Sequence, residues 1–173
     1  MTQFRLGYVE EPLPGHEMYK GMLAIPYLRW APDERWQVVS LRFRRLDAAE
    51  GKPKYLTVPG DTGRLYNTLA LLQPAQRVGI AEGEIDALTA SVAGFPTVGV
   101  PGAQAWKEHF REPFLGYREV LILADGDDAG MQFAETVVGV LPNAKIIPMP
   151  DGSDVNSLVL EQGVQALKDK VGI

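Results

Sequence analysis

A chain of 173 residues, 46% hydrophobic and 23% charged, has the composition of a folded globular protein rather than a disordered one. It has no cysteine and only two histidines, His16 and His109, which excludes a disulfide scaffold, a cysteine-ligated zinc or iron–sulfur centre, a cysteine nucleophile and a His-rich metal site. The net charge of −5 divides unevenly: residues 1–75 carry 10 Lys+Arg against 8 Asp+Glu, and residues 76–173 carry 7 against 14. That division predicts a mildly basic lobe over 1–75 and an acidic lobe over 76–173. No apolar run approaches the roughly 20 residues of a membrane span, and the opening MTQFRLGYVEEP lacks a signal peptide's apolar core and cleavage site, so the expected location is the cytoplasm.

The first lobe reads as β-rich. Met22 to Leu28 is a short apolar run, and Trp36 to Phe43 alternates β-branched and aromatic residues with polar ones. This places Val39, Leu41 and Phe43 on one face and Ser40, Arg42 and Arg44 on the other. The turn residues at 31–34 join the two runs as a hairpin. A Gly/Pro-punctuated stretch, 51–60, reads as a loop holding one short strand. The rhythm changes at Pro74. Strands are predicted at Arg77 to Ala81, Thr97 to Val100, Glu119 to Ala124 and Ala144 to Met149. Helices are predicted at Glu84 to Val92, Gln104 to Phe110, Ala129 to Leu141 and Asp154 to Val171, the last interrupted by Gly163. Short strands alternating with helices predict an α/β lobe with a four-stranded, mainly parallel sheet flanked by helices.

Ligands of an open parallel sheet bind at the carboxyl ends of its strands, and the acidic residues fall there. The first strand runs into Glu82-Gly83, with Asp86 one helical turn on. The third runs into Asp125-Gly126-Asp127-Asp128, and the fourth into Asp151-Gly152-Ser153-Asp154. Any one of these carboxylates can be a helix cap, and Asp154 is the best candidate for that. Carboxylates at three separate strand ends predict one acidic pocket, whose oxygen-only donors suit Mg²⁺ or Mn²⁺. A calcium loop starting at Asp125 needs Glu at its twelfth position and finds Thr136. A phosphate-binding G-x-x-x-x-G-K-[ST] loop and a G-x-S-x-G elbow are both absent.

Taken in order, Ile80 to Leu88 (IAEGEIDAL), Ile122 to Gly130 (ILADGDDAG) and Gly152 to Leu158 (GSDVNSL) resemble the three acidic motifs of the TOPRIM domain of topoisomerases and DnaG-type primases. Two positions depart from the primase pattern: Ser153 stands for the usual Lys, and Asn156 for a second Asp. Upstream, Pro53 to Pro59 (PKYLTVP), Gly63 to Tyr66 (GRLY), Ile25 to Tyr27 and Val39 to Arg44 are similar to primase segments, and Val98 to Ala103 to the loop after the second TOPRIM strand. The resemblance covers roughly residues 20–160. It implies a basic β-rich primase subdomain, 1–75, a TOPRIM domain, 76–173, and template held in the groove between them.

The same resemblance implies a DNA-dependent RNA primase that transfers a nucleotide from an NTP to a 3′-hydroxyl in DNA replication. It makes Glu82, Asp125 and Asp127 catalytic, and Glu82, Asp86, Asp125, Asp127 and Asp154 the ligands of Mg²⁺ or Mn²⁺. Lys54, Arg64, Arg42 and Arg44 then contact nucleotide or template phosphates. Arg45 reads as a solvated turn residue, and Trp30 and Trp36 as hairpin packing. With no cysteine available, the implied partners are a separate zinc-binding primase subunit and a replicative helicase, besides single-stranded DNA and NTPs, with no membrane. The alternatives are a TOPRIM nuclease or nicking enzyme and a non-catalytic recombination mediator that binds DNA.

Overall fold

Alternating apolar residues need a neighbouring strand, and in the computed structural model they find one in a four-stranded antiparallel sheet. The structure describes residues 4–32, 35–47 and 51–173. Strands β1 (Gly7–Tyr8), β2 (Leu23–Trp30), β3 (Trp36–Arg44) and β4 (Tyr55–Thr57) lie side by side in chain order. The predicted hairpin is β2–β3, with ends paired Leu23↔Arg44 and Trp30↔Trp36; turn residues 33 and 34 lie outside the described residues. A register shift corrects the predicted alternation. Tyr27 pairs with Ser40 but Leu28 with Val38, so Val39 is the extra residue of a bulge and leaves the Leu41–Phe43 face. Phe43 stays buried, stacked on Tyr19 with ring centroids 3.9 Å apart, beside Met22 and, partly buried, Leu41 and Leu56.

A second sheet is entirely parallel. Its strands β5 (Arg77–Ala81), β6 (Thr97–Gly99), β7 (Glu119–Ala124) and β8 (Ala144–Pro148) take the order β6-β5-β7-β8. The two central strands are apolar nearly throughout because helices cover the sheet. Val78, Ile80, Val120, Ile122 and Ala124 form one core with Phe133 and Val137. Helix α1 (Glu84–Val92) follows β5, α2 (Asp128–Val138) follows β7, and α3 (Val155–Gln162) with α4 (Val164–Val171) follows β8. Gly163, at φ +83°, separates the last two in a backbone conformation that L side chains rarely adopt.

The predicted helix at 104–110 is instead two 3₁₀ segments, Ala103–Ala105 and Glu108–Phe114, split by extended backbone at Trp106 and Lys107. Pro113 lies inside the second, where it removes a backbone donor and favours a short tight turn over an α-helix. The stretch at 63–75 also has structure that local pattern did not reveal. Tyr66 exchanges two backbone hydrogen bonds with Gly99, at 2.8 and 3.1 Å, and Asn67 Nδ2 donates to the Thr97 carbonyl at 2.8 Å. By its contacts the chain divides into Met1–Thr62 and Gly63–Ile173. Among the described residues no helix is long and apolar enough to cross a membrane.

Candidate functional site

Two neighbouring strands deliver the first carboxylates. β5 and β7 pair in register, Ala81 against Leu123, and each runs straight into an acidic residue: Glu82 one position beyond β5, Asp125 one beyond β7. Asp127 is the N-cap of α2, its Oδ1 accepting from the Gly130 N–H at 2.7 Å. Asp86, in the first turn of α1 and 8% exposed, accepts from the Asn156 N–H at 3.1 Å. Asp154 is the N-cap of α3, accepting from the Ser157 N–H at 2.6 Å. All five predicted acidic residues therefore lie at one end of the parallel sheet.

Their mutual repulsion marks how closely they gather. Burial pushes the Asp125 carboxyl up to about 7, helped by the charges of Asp86, Glu82, Asp154 and Asp127. Glu82 is also raised, first by burial and then by Asp127, while the Ala103 backbone N–H acts the other way. Asp125 Oδ1 and Glu82 Oε2 are buried without a hydrogen-bond partner. A buried carboxylate oxygen without a donor is costly unless something positive meets it. The donors are all hard oxygens, so the set fits a divalent cation of the Mg²⁺ or Mn²⁺ type. Among the described residues, no three acidic or histidine side chains are drawn together tightly enough to enclose an ion. Asp86, Asp127 and Asp154 each give an oxygen to a backbone N–H instead.

Two loops that carry acidic residues of this cluster are zipped together. The Gly126 N–H donates to the Ser153 carbonyl at 2.8 Å, and the Gly152 N–H to the Gly126 carbonyl at 2.7 Å. The Asp-Gly-Asp loop after β7 is thus fixed to the Gly-Ser-Asp loop after β8. Asn156 accepts at Oδ1 from the Thr89 hydroxyl at 3.1 Å, tying α3 to α1. Three contributors escaped the sequence reading. The Ala103 N–H carries no side-chain signature. The Thr89–Asn156 link joins residues 67 positions apart. Glu84, 1% exposed, raises the buried Tyr66 hydroxyl's pKa, after burial itself; that pairing joins residues 66 and 84 across the fold and leaves no local pattern.

Three of the predicted basic residues, Arg42, Arg44 and Lys54, belong to the first unit. Arg42 and Arg44 lie two apart on β3, their guanidinium carbons 4.4 and 5.8 Å from the Tyr55 ring centroid. Lys54 is exposed just before β4. Arg64 is exposed and belongs to the second unit. Arg45 donates to the Pro53 carbonyl at 3.2 Å, and Trp30 and Trp36 meet edge-on across the hairpin at 5.0 Å.

Residues 79–159, from β5 through most of α3, match the Toprim-like family. The chain is also 62% identical over 154 residues to the Gene 57 protein of Mycobacterium phage D29, covering 89% of this chain and all of that one. The chain belongs to the TOPRIM family. Among solved structures, this TOPRIM chain matches the DnaG catalytic core with a TM-score of 0.76 at 21% identity, over 99% of its own length and 67% of that chain. It matches a DnaG primase catalytic domain bound to single-stranded DNA with a TM-score of 0.70 at 24% identity, over 88% of its length and 53% of that chain. The TOPRIM chain thus has the DnaG-type fold and spans between half and two thirds of those primase chains.

Proposed function

We propose that this chain is the catalytic core of a DNA-dependent RNA primase, transferring a nucleotide from an NTP to a 3′-hydroxyl opposite single-stranded template. The observation that carries this reading is the pair of partnerless buried oxygens, Glu82 Oε2 and Asp125 Oδ1, at the ends of adjacent strands in a DnaG-type fold. Asp125 and Asp127 would hold Mg²⁺ or Mn²⁺, with Glu82, Asp86 and Asp154 around them. When bound, the ion neutralises triphosphate charge and makes the 3′-hydroxyl a better nucleophile. Glu82 is suited to accept the hydroxyl proton: its pKa is raised towards working pH, and Oε2 is unpartnered. The Ala103 N–H orients that carboxylate. The zipped loops at Gly126 and Ser153 keep Asp125 and Asp127 from moving apart from Asp154.

Lys54, Arg64, Arg42 and Arg44 would contact nucleotide and template phosphates, which position the strand without reading its sequence. The Tyr55 ring spans Arg42 and Arg44 and holds both on one face of the sheet. Replacing Arg44 by Ala should weaken single-stranded DNA binding equally for all sequences and reduce the salt slope by about 0.7, the value for one single-strand phosphate contact. A fluorescence-anisotropy salt titration reads this directly, and an unchanged slope removes Arg44 from the contact.

The deciding experiment incubates the chain with labelled single-stranded DNA, NTPs and Mg²⁺ or Mn²⁺, with and without a preformed RNA primer. Elongation supports the primase, shortening of the DNA means a nuclease, and binding without turnover means a mediator. Extension of a supplied primer should far exceed dinucleotide synthesis. The first bond requires two nucleotides to be held without a paired primer, an entropic cost of several kcal/mol. The cysteine-free chain has no zinc module of its own to share it, and a zinc-bearing primase subunit added in trans should restore initiation. A replicative helicase is the second expected partner.

A further inference from the structure

The TOPRIM unit is acidic, yet its few basic residues are not scattered. Residues 76–173 contain seven Lys and Arg. Three of them, Arg77, Arg118 and Lys145, line one cavity of about 510 Å³ with Gln76, Glu119 and Asn143. The cavity lies at the amino ends of β5, β7 and β8, where Arg77, Glu119 and Ala144 begin the strands. Charge is therefore sorted along the sheet, with acids at the carboxyl ends and bases at the amino ends. Three cations against one anion leave this cavity with a formal charge of +2.

Most of that lining is already spoken for. Arg77 Nε donates to Glu119 Oε2 at 2.7 Å, and its two outer nitrogens donate to the carbonyls of Val171 and Gly172 at 2.6 and 3.2 Å. Lys145 meets the other Glu119 oxygen at 2.5 Å while its side chain stays 69% exposed. Glu119 is thus saturated, and its carboxyl is held below the usual range chiefly by Lys145. An ion-pair clasp between strand starts accounts for these three residues. It does not account for Arg118, which is exposed and pairs with no acid among the described residues. Nor does it account for Asn143, whose Nδ2 donates to the carbonyls of Phe114 and Tyr117 at 3.0 and 2.7 Å and whose buried Oδ1 is left without a donor.

We infer that this cavity is a binding site for a nucleoside phosphate, separate from the acidic cluster at the other end of the sheet. Arg118 and the free N–H groups of Lys145 take the phosphate, Arg118 by a two-pronged contact that its planar fork favours. The volume lies in the range of small-molecule sites and exceeds what an inorganic phosphate fills. Gln76, exposed on the same wall, offers a side-chain amide to the polar groups of a sugar or base, which inorganic phosphate lacks. Among the described residues lining the cavity Glu119 is the one carboxylate, and it is doubly paired, so binding here needs no divalent metal.

That independence makes the site testable apart from catalysis. Binding of ATP, AMP and inorganic phosphate to the full chain is measured by calorimetry at low salt with EDTA present, which silences any metal-dependent binding at the acidic cluster. Saturable binding of AMP and ATP is expected, with inorganic phosphate weaker. Arg118→Glu should weaken nucleotide binding at least about tenfold by turning an attraction into a repulsion. Arg118→Lys should retain part of it. Asp125→Asn should leave it unchanged, as should Lys52→Glu, an equal change of net charge in the other unit. No saturable binding in EDTA, or wild-type affinity in Arg118→Glu, overturns the site. Equal affinity for phosphate and AMP overturns its assignment to nucleosides.

Discussion

Asp125→Asn should stabilise the metal-free protein at pH 8 while abolishing nucleotidyl transfer. In the folded chain this carboxyl titrates near 7, against an ordinary value of 3.8. Between those values the folded state keeps a proton that the unfolded state has lost, so this group's contribution to stability declines as pH rises from about 4 to about 7 and is least favourable above both. The asparagine has no charge to bury. The difference between wild type and variant should be near zero at pH 4 and grow to about 2 kcal/mol at pH 8, a figure reduced from the full linkage value because the carboxyl is only partly buried. Comparing the two proteins cancels the titration of every other group that the substitution leaves undisturbed. Mg²⁺ or Mn²⁺ should then raise the melting temperature of the wild type and not of the variant, since a ligand stabilises only the state that binds it. Asp127→Asn should also lose activity but keep its stability, because Asn caps a helix as well as Asp does. A stability difference independent of pH, or primer synthesis by either variant, would sink the assignment.

What could be read from the sequence was whatever depends on neighbours in the chain. β5 and β7 are named by unbroken apolar runs, α1 by its helical spacing, and the Asp154 cap by the helix it precedes. The acidic site was legible for the same reason: in a parallel sheet, the residue after each strand has one possible end of the sheet to occupy. What stayed hidden is decided across the chain. The bulge at Val39 arises from the pairing of β3 with β2, so alternation within β3 alone gave the wrong face. The Tyr66–Gly99 pairing organises a segment that has no periodicity. Glu82 is held by a backbone N–H, at a residue whose side chain says nothing about it. Asn156, seen in sequence as a missing carboxylate, hydrogen-bonds through its side chain to Thr89 and through its N–H to Asp86.

Gly126 shows how completely such a contact can override local appearance, and its replacement carries the other large expected effect. Between two aspartates it looks like a turn glycine chosen for backbone freedom, yet its φ is not positive, so an alanine could adopt its backbone angles. The obstacle is space. A Cβ at this position would lie 1.9 Å from the Pro150 carbonyl oxygen, 2.6 Å from its carbon and 3.1 Å from the Met149 oxygen. All three are main-chain atoms, so no side chain can rotate away. The loops after β7 and β8 would have to part, and the two hydrogen bonds joining them, at 2.8 and 2.7 Å, would be lost. Gly126→Ala should therefore cost about 3 kcal/mol or more, in the range reserved for severe overpacking. Any protein that still folds should bind divalent metal poorly, because Asp125 and Asp127 sit on one loop and Asp154 on the other. Gly116→Ala is the control: nothing lies within 4 Å of its Cβ and its φ is not positive, so its melting temperature should stay close to wild type. Melting of Gly126→Ala within a degree or two of that control would mean that the loops part freely, and that the acidic cluster is held by something other than their contact.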